Sequence, residues 1–401
     1  MIFIKTYKYR AYPTKAQITC IENQFSMCRH LYNWALADRI WLYENHGVSI
    51  DYNSQQNELP LIKNEKPWYK SVHSQVLQNV LKRLDLAYKA FFRRIKEGSG
   101  AVGFPRFKKF KQWNSITYPQ YSIVPKSNTI KVPKIGALKI VLHRDLPDDS
   151  KVKTLSVIKE AGKWFVCFSF EHELEIEPKQ NSALTSIGID LGLNDFYYDS
   201  NGDSVKTPKF FRQSQKKLAK LQLKLSKAKK GSKRYQKLLR ALQKCHYRIK
   251  CKRQDFHHKT ANNLLSKIDV LVVEKLTVKN MSRKPKAKKD PESEGFLING
   301  ASAKAGLNKS ILDAGWSNFL LLLKYKSEQL GKEIVSVNPA YTSQMCSGCG
   351  EISKKTLAIR THKCLNCGLV LNRDHNAAIN ILRLGLKSLG STQEASSIAL
   401  A

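Results

Sequence analysis

The sequence predicts an α+β protein with several domains, and three features of the chain support this prediction. The first half mixes helical and strand patterns, the second half places acidic residues at the ends of apolar strands, and four cysteines form two close pairs. A chain of 401 residues provides material for two or three domains, each with its own core. Hydrophobic residues make up 42% of the sequence, which argues against a disordered chain.

The net charge of +37 predicts a polyanionic partner. Anionic lipid is a poor candidate because no run reaches the roughly 18 apolar residues that a membrane span needs. The N-terminal residues lack the long apolar segment of a secretory signal. We therefore expect a cytoplasmic, nucleoid-associated protein that binds nucleic acid and has no membrane partner.

The first half of the chain is expected to combine helices with a small β-barrel or sheet. Alternating residues open it as a strand, and Thr14 is a candidate N-cap for an amphipathic helix over 16–34. A polar loop is predicted over 41–70, followed by a helix with apolar residues spaced from Val76 to Phe92.

Short alternating strands, broken by Pro and Gly, are predicted from 115 to 177. The helices are then an insert of about 14–100 within a strand-rich first domain, 1–180. A proline, polar residues and a change of charge at 177–185 mark the boundary of this domain.

Two basic segments are candidates for contact with nucleic acid. The first is Phe104-Pro105-Arg106-Phe107-Lys108, where Arg106 and Lys108 lie among aromatic residues. The second, 212–265, has the period of two antiparallel helices, and its residues 212–259 contain 18 Lys or Arg against one acid. A solvated charged face is the alternative, but a hairpin that follows phosphates is favoured because both arms lack counter-charge. Its candidate contact residues are Lys216, Lys220, Lys224, Arg234, Arg240 and Arg248.

The second half alternates apolar strands with helical and loop segments. Strands are predicted at 186–191, 268–274 and 333–337, with a hairpin turn at Asn201-Gly202. A helix is predicted over 311–330, after a loop over 281–310 that is rich in Lys, Gly, Ser and Pro. A short helix follows from 373 or 374 to 384, and the tail 385–401 is expected to fray.

The paired cysteines predict a structural zinc site. Cys346 and Cys349 form one C-x2-C pair, Cys364 and Cys367 form the other, and 14 residues separate the pairs. This is the spacing of a four-thiolate zinc ribbon, in which the four-coordinate metal has no position open for water. Two disulfides are the alternative, and a reducing cytoplasm argues against them. One zinc ion is therefore expected, with no catalytic role.

Three acidic residues form the candidate catalytic set. Asp190 lies within an apolar strand, Glu274 ends another, and Asp374 stands at the start of a helix. A single acid at a strand end is often only a boundary, and Asp374 could be only an N-cap. Together they are more informative, because a carboxylate in a buried strand is costly unless a cation compensates its charge. Their order matches the way an RNase H-like sheet brings acids together from distant segments.

Hydrolysis of a phosphodiester by in-line water attack explains why such a set is needed. The reaction uses two hard cations about 3.5–4 Å apart, of which one activates water and the other stabilises the leaving oxygen. Oxygen ligands suit two Mg²⁺ or Mn²⁺ ions. Asp190 is expected to bridge the two ions, with Glu274 and Asp374 each holding one of them.

Several short segments, from near the N-terminus to about residue 384, match one family. They are Tyr12-Pro13-Thr14 with Gln17, Phe104-Pro105-Arg106-Phe107-Lys108, Gly188-Ile189-Asp190-Leu191-Gly192, Val273-Glu274-Lys275-Leu276, Gly315-Trp316, Thr342-Ser343-Gln344-x-Cys346, the four cysteines, and Arg373-Asp374-x-Asn376-Ala377-Ala378-x-Asn380-Ile381. With these segments the chain resembles the TnpB family of transposon-encoded RNA-guided DNA nucleases, relatives of the compact type V CRISPR effectors. The last three, in this order, are the most specific.

The resemblance implies a fold and a division into domains. It implies a wedge-like N-terminal β-barrel with an inserted helical recognition domain, then an RNase H-like RuvC nuclease domain over 181–345. A zinc-ribbon insertion over 346–367 and a final RuvC helix over 368–384 follow. The loop 281–310 corresponds to the lid of the active site in this family.

The resemblance also implies partners and a further site residue. A guide RNA would pair with one strand of the target DNA. The double-stranded DNA would be unwound, and a single active site would then cut both strands as single strands. The protein is expected to be monomeric within this ribonucleoprotein. In related enzymes an arginine just before the second cysteine pair lies near the active site, and Arg360 occupies that place, although binding of phosphate at the surface is an equal alternative.

Two other functions remain open on the sequence alone. An acidic-triad transposase would usually order its residues Asp, Asp, Glu, whereas this chain orders them Asp, Glu, Asp. A non-catalytic zinc-ribbon regulator would bind nucleic acid without any need for converging acids. The guided nuclease is the hypothesis that accounts for the acids, the cysteines and the charge together.

Overall fold

A computed structural model describes residues 2–98, 102–110, 112–173, 184–353, 356 and 359–398. The chain divides into two units, Met1–Glu175 and Ile176–Ala401. Each unit has its own sheet. No helix within the described residues combines the length and the apolar content needed to cross a membrane.

The sheet of the N-terminal unit has six strands in the order β2-β5-β6-β1-β4-β3, and every neighbouring pair is antiparallel. The strands are β1 (Ile2–Tyr12), β2 (Ser115–Tyr118), β3 (Thr129–Val132), β4 (Gly136–Val141), β5 (Lys151–Glu160) and β6 (Lys163–Glu173). Alternation along β1 buries Tyr9 and Ala11, which pack on the main core of the unit. The pairings among described residues leave β2 and β3 as edges, so closure into a barrel stays a prediction.

The helices of this unit are α1 (Lys15–His46), α2 (Tyr52–Asn57), α3 (Leu59–Glu65) and α4 (Ser74–Lys96), with a 3-10 turn over Pro67–Ser71. The predicted cap at Thr14 is confirmed, because its hydroxyl accepts from the Gln17 backbone and the Gln17 side chain accepts from the Thr14 backbone. The predicted polar loop over 41–70 is wrong. Two short helices, α2 and α3, lie there instead, and the burial of the apolar residues Leu59 and Ile62 against the core stabilises α3.

The sheet of the second unit has five strands in the order β11-β10-β7-β8-β9. They are β7 (Ser186–Leu191), β8 (Asp195–Asp199), β9 (Ser204–Lys206), β10 (Val270–Glu274) and β11 (Glu333–Val337). Strands β7, β8 and β9 form an antiparallel meander, while β10 pairs in parallel with both β7 and β11. The predicted turn at Asn201-Gly202 joins β8 to β9, and the buried Asp199 carboxylate accepts from the Asn201 backbone within it.

The helices of the second unit are α5 (Phe210–Ser226), α6 (Lys233–Ser266), α7 (Val278–Met281), α8 (Ala301–Ala314), α9 (Trp316–Gln329) and α10 (Arg373–Ile398). Helices α5 and α6 form the predicted basic hairpin and pack through Leu218, Cys245 and Ile249. A small antiparallel pair, β12 (Thr361–Lys363) and β13 (Val370–Asn372), lies within the cysteine-containing segment.

Two predicted boundaries in this unit are wrong. Residues 301–310, expected in the loop, form most of α8, and Gly315 in the left-handed conformation separates α8 from α9. Helix α10 continues through Ile398, although fraying was expected from 385 onward. Leu384 and Leu389 explain the longer helix, because they pack with Val270 and Val272 of the sheet.

The two faces of this sheet are covered by different helices. Odd-numbered residues of β7 and β10, such as Ile189 and Leu271, pack in a core with residues of α6, α8 and α9. Even-numbered residues face α10. At Gly188 a Cβ would lie 2.5 Å from the Ala378 carbonyl oxygen, so a glycine is required for α10 to lie directly on β7.

We expect Gly188→Ala to destabilise the second unit, because its Cβ would meet the backbone of α10 rather than a side chain that can move. Overpacking of this kind costs about 1–3 kcal/mol. Urea unfolding measures the change. Gly390→Ala in α10 is the matched control, since no atom lies within 4 Å of its Cβ, and it should leave stability equal or slightly higher. Equal unfolding midpoints for Gly188→Ala and the wild type would contradict the packing.

Candidate active site and metal centre

Strand pairing places Asp190 and Glu274 next to each other. Val273 of β10 is paired in parallel with Ile189 of β7, so the following residues, Glu274 and Asp190, occupy adjacent positions. Equivalent positions of in-register parallel strands point to the same face of the sheet. Both carboxylates therefore stand on the face that α10 covers, at the carboxyl end of β10.

Helix α10 brings Asp374 to this face. Asp374 lies in its first turn, where the Asn372 side chain accepts from the Asp374 backbone at 2.8 Å. His375 stacks on Tyr198, the residue paired with Asp190 across β7 and β8, with ring centroids 5.7 Å apart. These contacts and the close approach at Gly188 fix the start of α10 beside the other two acids.

The charges of Glu274 and Asp374 both act on Asp190. Burial, followed by the charges of Glu274 and Asp374, raises its pKa to about 8, although Arg373 and Arg360 oppose the rise. Burial also raises the pKa of Glu274, against a hydrogen bond from Thr342 that lowers it. The cluster thus holds more negative charge than its protein environment favours.

The two arginines near the acids differ in what they contact. The Arg360 guanidinium is half exposed and lies 3.6 Å from an Asp374 oxygen. Arg373 is buried, and its guanidinium donates to the Thr356 carbonyl and the Ser343 hydroxyl. Arg360, whose place in the sequence suggested this neighbourhood, therefore contacts the acidic cluster, while Arg373 holds the surrounding loops.

The donor set fits a hard divalent cation. Three carboxylates supply oxygen ligands of the kind that Mg²⁺ and Mn²⁺ prefer, and a bound cation would relieve the charge repulsion that raises the pKa of Asp190. The spacing is looser than at the cysteines. Among the described residues, only the four cysteines form a group of three or more whose ligand atoms all lie within 4.8 Å of one another.

The four predicted cysteines converge on one point. The Cys346 and Cys367 sulfurs are 3.6 Å apart, as are those of Cys349 and Cys364. This separation is too long for a disulfide, and a tetrahedron with Zn–S bonds of about 2.3 Å has edges of about 3.8 Å. The backbone N–H of Glu351, followed by the Asn366 side chain, lowers the pKa of Cys349 to about 6, which favours the thiolate. The cluster therefore fits zinc.

Sequence reasoning missed the residues that join the cysteine insertion to the sheet. Thr342 donates its hydroxyl to Glu274 Oε1 at 2.6 Å. Two asparagines of α10, Asn376 and Asn380, are fully buried and hydrogen-bond to the backbone between 342 and 347. The sequence does contain a signal for these contacts. Two asparagines one helical turn apart on an otherwise apolar helix face need buried hydrogen-bond partners.

The candidate nucleic-acid contacts lie on both units. The side chains of the six hairpin residues (Lys216, Lys220, Lys224, Arg234, Arg240 and Arg248) are all exposed on α5 and α6. In the N-terminal unit Arg106 is exposed, while the Lys108 ammonium lies 5.1 Å from the centre of the Tyr32 ring. Arg106 and the six hairpin residues are therefore accessible to the phosphates of a nucleic acid.

Comparison with known families shows three matching family models. The model described as "Probable transposase" matches residues 165–284, which include Asp190 and Glu274. "Cas12f1-like, TNB domain" matches 316–381, which include the four cysteines and Asp374. "Helix-turn-helix domain" matches 1–47, a segment that forms β1 and α1 here.

Curated relatives align along nearly the whole chain. "Putative RNA-guided DNA endonuclease InsQ" of Escherichia coli (strain K12) is 33% identical, and the alignment covers 95% of this chain and 92% of the relative. "Putative RNA-guided DNA endonuclease" of Streptomyces pristinaespiralis is 31% identical, with 95% and 89% covered.

A solved structure shares the fold. The structure described as a Cas12f1-sgRNA-target DNA complex covers 95% of this chain, and this chain covers 98% of it, with a TM-score of 0.50 and 15% sequence identity. The α+β arrangement found here therefore resembles that of the compact Cas12 effectors.

Zinc content tests the cysteine cluster. The purified protein should contain about one equivalent of zinc by elemental analysis, and Cys364→Ser should lower this to well below one and lower the temperature of unfolding, because zinc binding contributes to folding. Cys251→Ser, which removes a single partly exposed thiol of α6, is the control and should keep the zinc. A wild-type protein without zinc that still unfolds at the same temperature after chelation would contradict the assignment.

The raised pKa of Asp190 predicts how stability depends on pH without divalent cations. Its folded pKa of about 8 exceeds the ordinary value of 3.8, so ionising it between these values costs stability as the pH rises. Asp190→Asn removes that cost. The variant should therefore be more stable than the wild type at pH 9 by at least about 1 kcal/mol, with a smaller difference near pH 4. Denaturant unfolding at both pH values measures this, and a difference that does not change with pH would contradict it.

Proposed function

Because this chain belongs to the TnpB family, we propose that it is an RNA-guided DNA endonuclease with one RuvC-like active site formed by Asp190, Glu274 and Asp374. The observation that carries the proposal is the neighbourhood of the three acids. Asp190 and Glu274 lie side by side on adjacent strands, and the charge of Asp374 acts on Asp190 from the start of α10. The names of the Escherichia coli and Streptomyces pristinaespiralis relatives support the same activity.

The strand order supports an RNase H-like domain. A three-stranded antiparallel meander, β7 to β9, continues through the parallel strands β10 and β11, and the acids lie on β7, β10 and the helix that covers them. We assign residues 181–345 to the RuvC-like nuclease, 346–367 to the zinc ribbon and 368–384 to the final RuvC helix. Residues 1–180 are assigned to the wedge-like domain with its helical insert of about 14–100. The loop 282–300, which lies between α7 and α8, is assigned as the lid.

The chain's own residues supply the charge and the geometry of catalysis. Asp190 would be shared between two Mg²⁺ or Mn²⁺ ions, with Glu274 and Asp374 each holding one. When bound, such ions polarise the phosphate and lower the pKa of water. Arg360, half exposed beside Asp374, would bind a phosphate oxygen of the strand being cut.

Basic surfaces would hold the nucleic acids. Helices α5 and α6 expose many lysines and arginines, and the one acidic residue within these two helices is Asp255, which pairs with Lys259. Such a surface binds the phosphates of a nucleic acid independently of its nucleotide sequence. We propose that it holds the guide RNA or its heteroduplex with DNA, while base pairing reads the target sequence. Arg106 and Lys108 would add contacts from the other unit, and unwound DNA would reach the site as single strands.

Replacing an acid separates cutting from binding. Asp190→Ala, Glu274→Ala and Asp374→Ala should each lower the rate of target cleavage by more than about 100-fold. This loss is larger than the loss expected when a residue that only hydrogen-bonds to a metal ligand is replaced. RNA that co-purifies with the protein should be unchanged in amount and sequence. The control is Glu333→Ala, an exposed acid at the start of β11, which should cut normally.

The same preparation tests guidance by RNA. Sequencing the co-purified RNA identifies a guide segment, and DNA that matches this segment should be cut while scrambled DNA is not. Cleavage by the Asp190→Ala protein, or loss of RNA from it, would contradict the assignment of the site. Strand transfer by RNA-free protein would favour a transposase instead.

A further inference from the structure

A short segment of the cysteine insertion contacts two of the elements that carry the acids. We call Thr342–Ser347 the knuckle segment; it contains Cys346 and precedes Cys349. At its start the Thr342 side chain is buried, and its hydroxyl lies 2.6 Å from Glu274 Oε1. This is the length of a hydrogen bond from a hydroxyl to a charged carboxylate.

The other side of the knuckle segment is fixed to α10. The Asn380 amide donates to the backbone oxygens of Thr342, at 2.9 Å, and Met345, at 2.7 Å. The Asn376 amide donates to the Met345 oxygen and accepts from the Ser347 backbone N–H. Because both asparagines are fully buried, these bonds are shielded from water. The same helix carries Asp374 in its first turn.

The hydroxyl of Thr342 does not need Glu274 in order to be satisfied. It has one proton, and the Pro339 carbonyl oxygen lies within reach at 3.2 Å. The shorter and charged contact is nevertheless to Glu274. Glu274 is the last residue of β10 and its side chain has several rotatable bonds, so a single bond to Oε1 limits where the second oxygen can point.

We propose that Thr342 is a positioning residue that orients the Glu274 carboxylate for a divalent cation, and that the zinc-bound knuckle segment holds Thr342 in place. This rests on the proposed function of the three acids. On this proposal the structural zinc has two roles. The metal would stabilise the insertion and, through Thr342, hold one ligand of the catalytic site.

Two substitutions at one position test the proposal. Thr342→Val keeps the β-branched shape and replaces the hydroxyl with a methyl group, while Thr342→Ser keeps the hydroxyl. Each ribonucleoprotein is titrated with Mn²⁺ by electron paramagnetic resonance, and cleavage is measured against Mg²⁺ concentration. Thr342→Val should bind Mn²⁺ about 10- to 100-fold more weakly and need correspondingly more Mg²⁺, the effect expected when a partner of a metal ligand is lost. Thr342→Ser should stay within about threefold of the wild type, a small part of that range.

The controls separate this role from simple stability. Thr361→Val removes an exposed hydroxyl from β12 of the same insertion and should behave as the wild type. Zinc should stay at one equivalent in every variant. If Thr342→Val loses zinc, Thr342→Ala, which cannot crowd its neighbours, decides the question in the same two assays.

Two outcomes would overturn the proposal. One is unchanged Mn²⁺ affinity and Mg²⁺ requirement in the zinc-bound variant that lacks the hydroxyl. The other is a defect in Thr342→Ser as large as that in Thr342→Val. If Asp190→Ala is inactive in the same experiment, the proposed function stands while the positioning role fails. If Asp190→Ala also cuts DNA, the proposed function itself fails.

Discussion

The structure of the second unit depends on holding three carboxylates together in a site from which water is partly excluded. Burial and the charges of Glu274 and Asp374 together raise the pKa of Asp190 to about 8, so the folded protein opposes the ionised form of its own central acid. Apolar packing elsewhere must stabilise this arrangement. The sheet provides it on both faces, because one side packs with α6, α8 and α9 and the other receives α10. The divalent cations proposed to bind these acids would offset their charge.

Two backbone features turn distant acids into neighbours. The parallel register of β7 and β10 places Asp190 beside Glu274 although 83 residues separate them in the sequence. Two glycines then let α10 lie directly on the sheet, since a Cβ at Gly188 would meet the α10 backbone and one at Gly385 would meet Val272. Side chains at these positions would push the helix outward and take Asp374 away from Asp190. The glycines therefore serve the charged site, although neither carries a functional group.

Much of this arrangement could be predicted from the sequence, because the strands are apolar and the cysteines are paired. The strands at 186–191 and 333–337, the cap at Thr14, the basic hairpin and the four-cysteine cluster all depend on local patterns. Errors arose where tertiary contacts decide. Burial of Leu59 and Ile62 stabilises α3 in a region that is polar overall, and α10 continues past 385 because Leu384 and Leu389 pack against the sheet. The bond from Thr342 to Glu274 joins residues far apart in sequence, so no local pattern predicts it.

The position of the cysteine insertion in the chain supports the proposed link between the zinc site and the three acids. The insertion leaves the sheet after Val337, which is paired with Glu274, and returns at Arg373, the residue before Asp374. Both of its ends therefore lie beside acids whatever the insertion itself does. If the insertion were flexible, Glu274 and the start of α10 could move independently of each other. Zinc held by the four thiolates would, together with the two buried asparagines, make the knuckle segment rigid, and the proposed bond from Thr342 would extend that order to Glu274.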